Sequence, residues 1–161
     1  MADSIGLLNM ANIAFLRYPP SATVTQTSAQ SLGTGSWVSI TLNSSQYDNY
    51  NGHSNVTNNS RYTAVVAGWY TVSGVVAFSA NGTGERGARL AVNGSPVQGT
   101  AGFLAALSSN VTAVVTATRD ILLNVGDYVE VQGWQTSGGS LNTAVFSDLA
   151  CGMWVRFSHF A

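Results

Sequence analysis

Residues 111–135 read Val-Thr-Ala-Val-Val-Thr-Ala-Thr-Arg-Asp-Ile-Leu-Leu-Asn-Val-Gly-Asp-Tyr-Val-Glu-Val-Gln-Gly-Trp-Gln. Val, Thr, Ile, Tyr and Trp dominate both flanks, and these side chains suit a pleated, half-buried surface. Between the flanks lies Asn124-Val125-Gly126-Asp127, a cluster of turn formers. The stretch therefore predicts a strand over Val111–Leu123, a tight turn, and a second strand over Tyr128–Gln135.

The same grammar extends in both directions. Ser36 to Leu42 places Trp37, Ser39 and Thr41 on one face and Val38, Ile40 and Leu42 on the other, the period-two pattern of a half-buried strand. Ala22–Ser28, Gly68–Phe78, Ala88–Val92 and Cys151–Phe160 read as further strands. Asn81-Gly82-Thr83-Gly84, Asn93-Gly94-Ser95-Pro96 and Ser137-Gly138-Gly139-Ser140 punctuate them. A succession of about eight to ten short strands, with no fixed repeat and no amphipathic helical window, predicts an all-β sandwich of the jelly-roll kind.

A chain of 161 residues is the size of one ordinary domain. Charged residues make up only 8%, against about a quarter in an average soluble protein. The polar surface comes instead from 19 Ser, 15 Thr and 13 Asn. All six basic residues are Arg, with a formal net charge of -1, so the cation cluster that a nucleic-acid binder or a polybasic membrane anchor needs is missing. With 45% hydrophobic residues the composition is not that of a disordered chain. No apolar run reaches the roughly 18 residues of a membrane span.

Residues 1–20 stand apart as an arm, with the domain expected at 21–161. Ile5, Leu7, Leu8, Met10, Ile13, Phe15 and Leu16 make the arm apolar on every side, and Pro19-Pro20 stops any regular element after it. Asp3 occupies the place of a positive n-region, and Asn9 and Asn12 interrupt the apolar part, so a secretory signal is not expected. An apolar arm must be buried, either on its own domain or on a neighbour. The expectation adopted is attachment to a partner.

Catalytic material is sparse. His53 and His159 are the two imidazoles, and Cys151 sits in an apolar strand as a small core residue. No Gly-x-Ser-x-Gly elbow, zinc-protease motif or phosphate loop occurs. Neither an enzyme nor a cofactor is expected. The Asn-rich loop 47–60 offers Asp48, Asn51 and His53 as surface-binding residues; one carboxylate is too few for a typical calcium site, and such a loop more often bonds its own backbone.

Several stretches taken in order resemble the trimeric jelly-roll family that includes the complement first-component globular head and tumour necrosis factor. They are Tyr47-Asp48 with Gly52-His53, Arg61-Tyr62-Thr63-Ala64, Ala67-Gly68-Trp69-Tyr70, Arg89 to Gly94, Ile121 to Val131, Phe146-Ser147 and Trp154-Val155-Arg156-Phe157. The resemblance covers about residues 36–160. It implies a homotrimer, and Tyr62, Trp69, Tyr70, Tyr128, Trp134 and Phe157 become interface or near-interface expectations, at least half of which also suit the core. Without collagen-like repeats or Lys, the chain is more similar to small jelly-roll proteins of tailed-bacteriophage virions. The function expected is a structural or adhesive virion component, held by its arm to other virion proteins and facing solvent or a host surface. The alternative is a secreted, ligand-like or carbohydrate- or receptor-binding module.

Overall fold

A computed structural model describes residues 15–161. Its strands are β1 (Ser21–Thr25), β2 (Ser31–Leu32), β3 (Val38–Ser39), β4 (Ser44–Asp48), β5 (Arg61–Thr63), β6 (Gly68–Phe78) and β7 (Glu85–Val92). They continue with β8 (Ser95–Pro96), β9 (Gly102–Ala105), β10 (Thr112–Val115), β11 (Arg119–Leu123), β12 (Tyr128–Gln135), β13 (Leu141–Asn142) and β14 (Gly152–His159). The expected strands over 68–78 and 128–135 appear with those bounds.

One sheet has the order β10-β6-β14-β1-β4, with β11 also pairing β6; the other has the order β3-β12-β7-β8, with β5 on β12 and β9 on β7. All pairs are antiparallel, and the two sheets form the jelly-roll sandwich. The core between them follows the alternation of the sequence. Tyr70, Val72, Val76 and Phe78 from β6 are buried with Leu90 from β7, Val129 and Val131 from β12, and Met153, Val155 and Phe157 from β14.

Two strand expectations need correction. Val111–Leu123 is two strands: β10 pairs Val75–Phe78 and β11 pairs Gly68–Val72. The interruption follows from Thr116, whose amide donates to Gly74 O at 2.9 Å while its hydroxyl accepts from the Gly74 amide at 2.9 Å. A side chain substitutes for the ladder there, and the chain steps out of register. Ser36–Leu42 contracts to Val38–Ser39, although its two faces survive: Ile40 and Leu42 are buried, and Trp37, Ser39 and Thr41 are half-buried.

The Asn93-Gly94 turn takes positive φ at both positions, 50° and 79°, the conformation that selects these residues for a tight hairpin. A polar network ties the chain's early and late segments. The Thr143 hydroxyl donates to Gln26 Oε1 at 2.6 Å and accepts from the Gln30 amide at 2.8 Å.

Of the arm, only its end lies within the described residues; Ile5, Leu7, Leu8, Met10 and Ile13 fall outside them. Phe15 is in helical backbone, and its ring centroid lies 5.1 Å from that of Phe157 and 5.2 Å from that of Phe160. Leu16 is 69% exposed. Of the seven apolar arm residues the two described ones therefore divide, Phe15 packed on the domain and Leu16 facing outward.

Candidate functional site

The loop after β4 is built inward. Asp48 Oδ1 accepts from the amides of Tyr50 and Gly52, at 3.3 and 3.2 Å, and Oδ2 accepts from the His53 amide at 2.8 Å. Each His53 ring nitrogen lies 2.8 Å from a carbonyl oxygen, Nδ1 from Arg61 O and Nε2 from Leu42 O. Asp48 and His53 thus spend their polar atoms holding the loop together. This corrects the expectation that they are presented for binding; of the three, only Asn51 is exposed. Among the described residues no cluster of three or more His, Cys, Asp or Glu forms a metal-holding group.

The six aromatic residues singled out from the sequence do not converge. Tyr62, Tyr70 and Phe157 are core residues of the single chain, with Tyr70 and Phe157 in edge contact at 5.3 Å. Burial, followed by the neighbouring Tyr70, holds the Tyr62 phenol well above its ordinary pKa, and its hydroxyl has no hydrogen-bond partner among the described residues. Such side chains have little surface to give a neighbour, and these three belong to the half of the six that also suits the core. Trp69 lies on the outer face of the first sheet, stacked on His159 at 6.1 Å. Tyr128 and Trp134 point outward from the second sheet, on the opposite side of the sandwich.

The outer face of the first sheet carries apolar groups that the sequence reading did not select. Trp154 of β14 is 42% exposed and Val115 of β10 is 66% exposed, with Tyr47 and Leu122 also exposed. Trp154 sits opposite Ser73 and Thr23, and Thr23 sits opposite Tyr47, so these side chains run in one row across the sheet. A shallow cleft of about 750 Å³ along this row is lined by Leu16, Tyr47, Trp154 and Arg156 among others. The signal was available: period two in Met153-Trp154-Val155-Arg156-Phe157 puts Trp154 on the face opposite the core.

On the second sheet the outer face is a ladder of polar and aromatic groups. Glu130 accepts from Ser60 Oγ at 2.8 Å and from Ser39 Oγ at 3.1 Å. Arg89 Nε donates to Gln132 Oε1 at 2.8 Å, and Arg61 lies 4.4 Å over the Tyr128 ring. Among the described residues the contact between a hydroxyl and an imidazole is that of chain neighbours, Ser158 Oγ lying 3.1 Å from His159 Nδ1. Burial pushes the Cys151 thiol up to about 11, which suits a core residue rather than a reactive one.

No protein-family model and no curated protein sequence matches the chain. Among solved structures, murine APRIL at pH 5.0 superposes with a TM-score of 0.64 at 10% identity, over 86% of this chain and 98% of that one. The structure of Eiger TNF from S. frugiperda superposes with a TM-score of 0.59 at 11% identity, over 88% of this chain and 95% of that one. The fold is therefore that of a tumour-necrosis-factor-like jelly roll. At these identities the likeness is one of architecture, and function rests on the surfaces themselves.

Proposed function

We propose that the chain is a non-enzymatic, ligand-like binding module that works outside the cell as a homotrimer, assembled through the outer face of its first sheet. The observation that carries this reading is the row from Trp154 to Tyr47, with Val115 and Leu122 beside it, on a sheet face that a lone domain leaves in water. Exposed apolar area of this kind marks an interaction site. The fold shared with APRIL and a tumour necrosis factor, and the resemblance to trimeric jelly rolls, point to copies of the chain as the occupant. Light scattering is expected to give three times the chain mass, and Trp154→Glu to give a folded monomer. A wild-type monomer overturns the reading.

The virion reading is supported by a different observation. Leu16, exposed at the root of an apolar arm, lines the same cleft as Tyr47 and Trp154. In that reading the chain is a structural or adhesive component of a tailed-bacteriophage particle, anchored by its arm at residues 1–20, of which 1–18 can be removed. Deletion of those residues separates the two readings. The truncated chain still trimerises if the arm serves only attachment, and it fails to join particles if the chain is a virion component.

A further inference from the structure

The second sheet carries a cluster that the proposed assembly leaves unused. Trp134 of β12 and Phe103 of β9 flank Trp37, their ring centroids 5.6 and 5.7 Å from its own. The rings gather over bare backbone at Gly87: a Cβ there would stand 2.7 Å from Phe103 and 3.2 Å from Trp37. Any other residue would lift them. Phe103 remains 52% exposed, and Trp37 and Trp134 are half-buried.

Arg89 is fixed beside the rings. Its guanidinium carbon lies 4.2 Å over the Trp37 ring, and its bond to Gln132 uses Nε. Among the described residues that is its one hydrogen bond, so both Nη groups are open. Glu130, the acid on the same face, is engaged by Ser39 and Ser60. The result is a half-buried cation, stacked and oriented, with its fork unoccupied.

We propose that this cluster is a binding site for an acidic pyranose, a sugar ring that bears a carboxylate. A guanidinium fork matches a carboxylate bidentately, and its stacking on Trp37 means that little freedom is lost on binding. The C–H groups of a pyranose face carry the slight positive charge that an aromatic π-face attracts, as the edges of other rings do. Ser36, exposed and next to Trp37 in the chain, adds a hydroxyl for the ring's own, whereas the Ser39 hydroxyl is spent on Glu130 and Gln132. A protein partner would need about 800 Å² of contact on this side. Three rings bordered by Ser and Gln offer an anchor of sugar size instead. The inference does not depend on the trimer, since it uses the opposite sheet.

The test uses the full chain and its intrinsic Trp fluorescence, with calorimetry as a second readout. The probes are oligogalacturonate and sialyllactose, with methyl-esterified oligogalacturonate and a maltooligosaccharide as uncharged controls. Saturable binding of at least one acidic probe, absent with the uncharged ones, is the expected result. Arg89→Gln and Phe103→Ala are each expected to weaken it by about tenfold or more, the scale of one lost charge-assisted contact. Gly87→Ala should weaken it by displacing the rings while leaving every polar group in place. Circular dichroism and light scattering on the same samples show that fold and assembly are kept. Failure of both acidic probes to bind overturns the proposal, as does equal binding by Arg89→Gln. So does a protein partner that engages the cluster when no glycan does.

Discussion

Gly74 on β6 faces Val131 on β12 across the sandwich so closely that a Cβ on the glycine would lie 2.8 Å from Val131 Cγ2. The partner sheet reciprocates at Gly133, where a Cβ would lie 3.1 Å from Val76 and 3.2 Å from both Ile40 and Leu32. At these two points each sheet gives up a side chain so that the other can keep one. Overpacking a filled core typically costs about 1–3 kcal/mol. Gly74→Ala is expected to fall in that range, read as a lowered melting temperature. Adding Val131→Ala should recover part of the loss, because the two residues share one volume. A double mutant whose losses simply add would show that the contact is not the cause.

Asp48→Ala removes the acceptor for three loop amides. Leaving buried donors unpaired costs about 1–3 kcal/mol. Hydrogen exchange at the amides of Tyr50, Gly52 and His53 is expected to quicken in the variant, with exchange in β6 and β12 little changed. Unchanged exchange in the loop would remove Asp48 from its role as organiser.

Asp127 sets an acid limit on the adjoining turns. The Asn93 side-chain amide, then the Asn124 backbone amide, donate to its carboxylate and hold its pKa below the ordinary 3.8. In the window between the depressed folded value and 3.8, the unfolded chain binds more protons than the folded one. The stabilisation is therefore present above pH 3.8 and is lost as the pH falls through the folded value. Melting temperatures measured down this range should fall less steeply for Asp127→Asn than for wild type.

The Cys151 thiol lies within the core, its Sγ 3.3 Å from the Ala77 amide that donates to it. Because the thiolate is the reactive form, a disulfide reagent at about pH 8 should modify the folded chain very slowly. Denaturant should accelerate the reaction in step with unfolding. Rapid modification of the native protein would place Cys151 in an accessible site.

The fold was legible in sequence wherever alternation ran uninterrupted between turn residues, as at 68–78 and 128–135. It was not legible at Thr116, where a hydroxyl replaces a ladder bond without any change of composition, nor at β9, whose Gly-Phe-Leu-Ala sequence does not alternate. The sites were harder. Tyr62 and Tyr70 alternate like any surface aromatic, and only the opposing sheet shows that they point inward. Trp37 was assigned to the correct face, yet its partners Arg89, Phe103 and Trp134 come from three other strands that period-two reading cannot align. The Asn-rich loop suggests bonds to its own backbone, but composition does not show that Asp48 is the side chain that meets its amides.

The placement of β1 between β14 and β4 has a consequence for how the chain is made. Ser21 pairs with Arg156 and Thr25 with Gly152, so the first described strand finds one of its two partners only in β14, after every other described strand. Until then β1 and β6 each lack the neighbour that separates them, and both present open backbone edges to other nascent chains. Closure must wait for β14, and contacts of such long sequence separation form slowly. The vulnerable interval is thus the one before β14 inserts, when unpaired strand edges of partly folded chains can meet one another.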